Sequence, residues 1–214
     1  MTTLARPALS ERTLNLAKSF MNRYLRSMIV RKWERQHRPL PPPHQVKQAV
    51  VEEYRQRLDC PVLIETGTFR GDMVEAHMRH FKRVFSIELN QDFYEKACYR
   101  FRKHPNVSLY QGDSSEVLPR IMHVLQQPAI FWLDGHYSSG DTARGSKDCP
   151  IFEELDAIFA RKTAYAHVLL IDDARCFTGE GDYPTIADLT EYIQMKDSRY
   201  RIDVKDDIIR GVRT

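Results

Sequence analysis

The sequence predicts an α/β fold: a doubly wound, mostly parallel seven-stranded sheet with helices on both faces, plus an N-terminal helical extension. Three observations carry this prediction. From residue 62 onward, short apolar runs alternate with amphipathic stretches of helical period, the pattern of parallel strands joined by crossover helices. The run His167–Asp172 is almost wholly apolar between its ends, as expected of a strand covered on both faces. The last two runs, Tyr200–Val204 and Asp207–Val212, are separated only by Lys205-Asp206. That gap is too short for a crossover and implies a closing antiparallel pair.

The elements follow in order. Val62–Glu65 is a strand, and Gly71–His80 reads as a helix. Val84–Glu88 is a second strand, followed by a helix over Asp92–Arg102 with Phe93, Ala97 and Phe101 at four-residue steps. Val107–Tyr110 is a third strand; Ser114 or Ser115 is placed to cap a helix over Glu116–Leu125. Ala129–Asp134 is a fourth strand, and Asp148-Cys149-Pro150 opens the next helix, with Pro150 in its first turn. The fifth strand is His167–Asp172, and a helix over Pro184–Met195 precedes the closing pair.

Ahead of this unit, residues 11–37 read as a basic amphipathic helix and Pro41-Pro42-Pro43 as a stiff stop. A second helix spans His44 to Leu58, with Val46, Ala49, Val50 and Tyr54 along one side. The chain therefore divides into a basic arm and linker (residues 1–43) and an α/β domain (residues 44–214). The net charge of +3 hides this asymmetry, because residues 1–38 hold nine Lys/Arg against two Asp/Glu. Such an arm suits packing on the domain, contact with a second copy of the chain, or peripheral contact with an anionic membrane. No helix-turn-helix or Gly/aromatic RNA motif accompanies it, which argues against nucleic acid.

With 42% hydrophobic and 29% charged residues, the 214-residue chain has an ordinary globular composition. No apolar run reaches the roughly 18–20 residues of a membrane span, and the N-terminus lacks a secretory pattern. Cys60, Cys98, Cys149 and Cys176 are far apart with no C-x-x-C, so free thiols in a cytoplasmic compartment are expected rather than a zinc or redox motif.

The stretch Val62 to Asp72 is the organising one: an apolar run ends in Glu65, and a turn holding Gly67 and Gly71 leads into a helix. Strand, glycine turn and helix start together form a nucleotide-binding arrangement. The spacing Glu65-x-Gly67-x-x-x-Gly71, with Phe69 where a second glycine would fall, fits a dinucleotide poorly. It resembles the first motif, acid-x-Gly-x-Gly-x-Gly, of the class I S-adenosylmethionine-dependent methyltransferases, whose sheet is Rossmann-like. Glu88 ends the second strand where that family holds the ribose hydroxyls, and Gly112-Asp113-Ser114 ends the third, near where it holds the adenine amine. The resemblance covers about residues 60–210 and implies S-adenosylmethionine as cofactor. The residues it would place around the cofactor are Glu65, Thr66, Gly67, Thr68, Gly71, Glu88, Asp113, Ser114 and Asp134.

Two further stretches, Asp134-Gly135-His136-Tyr137 and Asp172-Asp173-Ala174-Arg175, resemble motifs of the macrocin-type O-methyltransferase and cephalosporin hydroxylase-like branch, in which strand-end acids bind Mg²⁺. The physical case runs in parallel. Strands four and five should lie about 4.8 Å apart, bringing Asp134, Asp172 and Asp173 together. Carboxylates that close need a cation or protons between them, and an oxygen-only set suits Mg²⁺, Ca²⁺ or Mn²⁺. Asp134 or His136 would then take the acceptor's proton. Alternatively, the paired aspartates merely cap the following loop.

The polar loop Ser139–Lys147 reads as a substrate lid, with Arg144, Lys147 and Arg175 available to an anionic acceptor. Phe177 and Tyr183 are further candidates to face an acceptor. The expected function is transfer of a methyl group to an oxygen of a small polar, sugar-like or anionic molecule. The alternatives are a Rossmann-type enzyme using another nucleotide, or a methyltransferase-like domain that only binds.

Overall fold

The computed structural model describes residue 25 and residues 27–135, 147–160 and 165–214. Most of the predicted arm helix, His136, Tyr137, Arg144 and nearly all of the proposed lid lie outside these residues. Among the described residues, α1 covers 27–35 and α2 covers His44–Leu58. There follow β1 (Val62–Thr66), α3 (Asp72–His77), β2 (Arg83–Glu88), α4 (Gln91–Phe101), β3 (Val107–Gln111), α5 (Ser114–Val124) and β4 (Ala129–Leu133). Then come α6 (Ile151–Phe159), β5 (Val168–Ile171), a 3₁₀ turn at Ala174–Cys176, α7 (Ile186–Lys196), β6 (Tyr200–Lys205) and β7 (Ile208–Arg213).

The seven strands form one sheet in the order β3-β2-β1-β4-β5-β7-β6. Strands β1 to β5 are parallel, and β7 runs antiparallel to both β5 and β6. The sheet reverses its winding between β1 and β4, which are paired from Val62↔Ala129 to Thr66↔Leu133. Ligands of such sheets lie across the carboxyl ends of the strands at this switch point.

Alternation along each strand divides the core into two layers. Ile64, Phe85, Ile87, Phe131, Leu169 and Ile209 face α5, α6 and α7 through Leu118, Ile121, Leu155, Ile158 and Leu189. Leu63, Val84, Ile130, Trp132 and Leu170 face α2, α3 and α4 through Val51, Tyr54, Val74, Phe81 and Phe101. The two strand faces thus bury opposite helix sets, which is why the central strands read as unbroken apolar runs.

Two details depart from the sequence reading. The buried side of α2 is Val46, Gln48, Val50, Val51 and Tyr54, while Ala49 is exposed. Helix α5 starts two residues earlier than expected, and its cap is Asp113 rather than a serine: the Asp113 carboxylate accepts from the Ser115 backbone N–H at 2.9 Å and from its hydroxyl at 2.7 Å. Asp and Ser cap equally well, so the phase of the apolar residues settles the choice.

The N-terminal segment is tied to the domain. Trp33 of α1 is buried, and its indole N–H donates to the Pro39 carbonyl at 2.7 Å. Arg38 pairs with Asp206 in the β6–β7 turn at 3.1 Å. Leu25, and Met28 and Ile29 on α1, are exposed. Among the described residues no helix is long and apolar enough to cross a membrane.

Candidate active site at the strand ends

The glycine turn after β1 is held from two sides. The Gly67 and Thr68 N–H groups both donate to the Ile87 carbonyl of β2, at 2.9 and 3.1 Å. The Phe69 N–H donates to Glu88 Oε2 at 2.6 Å, and the Gly71 N–H to the Thr68 carbonyl at 2.8 Å. On the other side, the Asp134 N–H donates to the Thr66 carbonyl at 3.1 Å and contacts its hydroxyl at 3.2 Å. The turn is therefore a bracket between the exits of β2 and β4.

Both glycines answer to the protein itself. Gly67 has φ +86°, and a Cβ there would lie 2.4 Å from the Asp134 carbonyl oxygen. Gly71 has φ +77°, and its Cβ would strike the Phe101 ring at 2.6 Å. Phe69, also at positive φ, stands half out of the surface and packs edge-on against Phe93 at 4.8 Å.

The strand-end acids have unequal roles. Glu65 is buried and points into the sheet, where the Ser86 hydroxyl donates to its carboxylate and Thr68 shares a 2.6 Å hydrogen bond with that hydroxyl. Burial pushes the Glu65 pKa well above the ordinary carboxylate value, against the pull of Ser86 and with added repulsion from Asp134 and Glu88. Its side chain is thus a support beneath the turn. Glu88 accepts from Phe69 N–H and, at 2.8 Å, from Asn90 N–H. An ionised carboxylate has about four lone-pair sites, so these bonds leave Glu88 capacity for a ligand. Asp113 and Asp134 are half-buried at the ends of β3 and β4, and Ser114 is buried in the first turn of α5.

The aspartates after β5 are already matched with cations. Lys47, from α2, places its ammonium against Asp172 and 3.3 Å from Asp173 Oδ1. Arg175 donates to the same Asp173 oxygen at 2.8 Å and also pairs with Asp207. The Asp173 N–H donates to Asp172 Oδ1 at 2.8 Å. Burial works against the Lys47 charge, but Asp172, Asp173 and Asp134 outweigh it and raise its pKa. Burial likewise raises Asp172, opposed by Lys47. Lys47 had no signal in the sequence: it is a single basic residue on a helix, 125 positions from its partner.

These residues do not fit a divalent metal. The misfit is one of charge: Lys47 and Arg175 already set positive charge against the expected ligands Asp172 and Asp173. Among the described residues, the set of three whose ligand atoms come within 4.8 Å of one another is instead Glu52, His77 and His80. There Glu52 is gripped by Arg55 through two bonds of 2.8 and 2.7 Å.

Lys147 pairs with Glu153 and Arg175 with Asp173 and Asp207, so neither stands ready for an anionic acceptor. Phe177 is buried in the core and packs edge-on at 5.6 Å with the partly buried Tyr183, so the Phe177 ring is a packing residue rather than an acceptor wall.

No family model matches the chain, and no curated protein does. Solved structures do. The O-methyltransferase from Bacillus cereus bound to S-adenosylhomocysteine (SAH) is similar over 88% of this chain and 90% of that one, with a TM-score of 0.59 at 11% identity. TomG, the O-methyltransferase from Streptomyces achromogenes involved in tomaymycin synthesis, bound to S-adenosylmethionine (SAM), is similar over 88% of each chain, with a TM-score of 0.57 at 15% identity. The SAH-bound Podospora anserina methyltransferase PaMTH1 is similar over 99% of each chain, with a TM-score of 0.54 at 15% identity. At these identities the likeness is one of fold. The chain has the class I methyltransferase fold: a Rossmann-like, mostly parallel sheet with an antiparallel closing pair.

Proposed function

We propose that this chain is a SAM-dependent methyltransferase acting on an oxygen of a small polar acceptor. The observation that carries the reading is the gathering of the glycine turn, Glu88, Asp113 and Asp134 at the carboxyl ends of β1 to β4, astride the switch point of a methyltransferase-type sheet. The solved neighbours bound to SAM or SAH support the choice of cofactor. The choice of oxygen follows the resemblance of the Asp134 and Asp172 stretches to the macrocin-type branch.

The residues suit the ligand. Glu88 has acceptor capacity at the end of β2 for ribose hydroxyls, and Phe69 with Phe93 makes an aromatic wall beside it for a purine face. Asp134, braced through its amide by Thr66, stands at the β4 exit beside the turn. Bound SAM would supply the methyl group as an electrophile on a sulfonium. The chain's own task is then to hold the acceptor oxygen in line with that methyl. Asp134 accepts the hydroxyl proton as the new C–O bond forms. No step passes through a metal.

Calorimetry with SAH tests the cofactor reading. A one-to-one complex that Glu88→Ala weakens by about tenfold or more is expected. Binding of NAD without SAH would replace the reading with another nucleotide.

A further inference from the structure

We propose that Lys47 is the built-in cation of this acid edge, standing in for a divalent metal and positioning the acceptor oxygen. The inference rests on the reading of the strand ends as the methyl-transfer site. Its ground is a juxtaposition: an ammonium from α2 lies against the two aspartates that follow β5, the strand paired with β4, at whose exit Asp134 stands.

Three features make this a built arrangement. The first is burial: the side chains of Asp172, Asp173 and Lys47 are only 1%, 11% and 14% exposed, so the contacts are not those of a solvated surface pair. The second is rigidity. Lys47 is flanked by Val46 and Gln48, both buried, and Gln48 donates to the Asp72 carbonyl at 3.2 Å at the start of α3. Val50, Val51 and Tyr54 then anchor the rest of α2 on the sheet. The third is the chemistry of the pair. Two adjacent carboxylates need a counter-charge, and a lysine delivers one without the oxygen ligands that a metal demands.

An ammonium has three donors, and Asp172 and Asp173 take two of them. The third is the donor we assign to the acceptor oxygen. Lys47 thus differs from a Lewis acid: it directs the oxygen and leaves proton removal to Asp134. With Arg175 also paired to Asp173, the fixed positive charge at this edge disfavours a metal ion beside it.

The experiment is Mn²⁺ titration of the EDTA-treated, full-length chain, read by electron paramagnetic resonance, with SAH affinity measured on the same samples. Wild type and Lys47→Arg are expected to show no saturable Mn²⁺ site. Lys47→Ala should gain one site, with affinity higher by about tenfold or more as a contact charge is removed. Lys47→Ala/Asp172→Asn should lose that site again. A stoichiometric Mn²⁺ site in the wild type that disappears in Asp172→Asn overturns the proposal, as does a folded Lys47→Ala that gains none. If Lys47→Ala does not fold, the wild-type and Asp172→Asn titrations alone decide. Absence of SAH binding would sink the methyltransferase reading while leaving the Mn²⁺ result to stand by itself.

Discussion

His167 offers the sharpest test of the packing. It sits just before β5, 4% exposed, where its Nδ1 accepts the Ala129 backbone N–H at 3.2 Å and its ring meets Phe131 edge-on at 5.3 Å. A ring that accepts at Nδ1 carries its proton on Nε2. Protonating Nδ1 would turn two donors toward each other in a dry site. Burial, with a smaller push from Arg213, lowers the pKa from 6.5 to about 4.

The sign follows. Between these values the unfolded chain binds a proton that the folded chain refuses, so stability is full above 6.5 and falls as the pH drops toward 4. The gap between 6.5 and about 4, at about 1.36 kcal/mol per pH unit, amounts to about 3 kcal/mol. Urea unfolding of wild type and His167→Gln at several values from pH 7.5 to 4.5 measures it. The variant starts less stable, but its curve should be flatter over this window by roughly 1 kcal/mol per pH unit. Identical slopes for the two proteins would refute the argument, because every other titrating group is common to both.

Other changes follow from the same structure. Gly67→Ala should cost about 2 kcal/mol or more in urea unfolding, since its φ is +86° and the new Cβ lies 2.4 Å from the Asp134 carbonyl oxygen; an unchanged midpoint would contradict the crossing seen here. Ser86→Ala removes the hydroxyl beneath Glu65 and should cost about 1–3 kcal/mol, read by thermal melting. Because burial raises the Glu65 pKa, its contribution is present below the ordinary value and is lost as pH rises. Glu65→Gln should therefore gain stability relative to wild type on going from pH 5 to pH 8, and a loss over that range would count against a neutral, buried Glu65.

Much of the fold was legible because local and global signals agree. Unbroken runs such as Ile130 to Leu133 are buried on both faces, and the two-residue gap before the last strand forced an antiparallel end. The strand-end acids were legible as positions but not as roles. Glu65 looks like a ligand residue in one dimension; only the pairing Glu65↔Ser86 across β1 and β2 shows that it is turned inward. Asp172 and Asp173 call for a cation, and in one dimension their all-oxygen donor set suggests a metal. The cation comes from α2 instead, a contact that periodicity cannot express. Arg38 likewise reaches Asp206 across the division at residues 43 and 44, a contact with no signature in the sequence.

The crossing at Gly67 bears on how such chains should be judged for activity. The missing side chain is accounted for by the β4 exit passing over it, with no ligand in the explanation. A descendant that had lost all catalysis would still be obliged to retain that glycine, or else open the seam between β1 and β4. The signature therefore certifies architecture and is silent on turnover. Evidence of turnover must come from groups that the architecture alone does not account for, and in this chain the third donor of Lys47 is where to look.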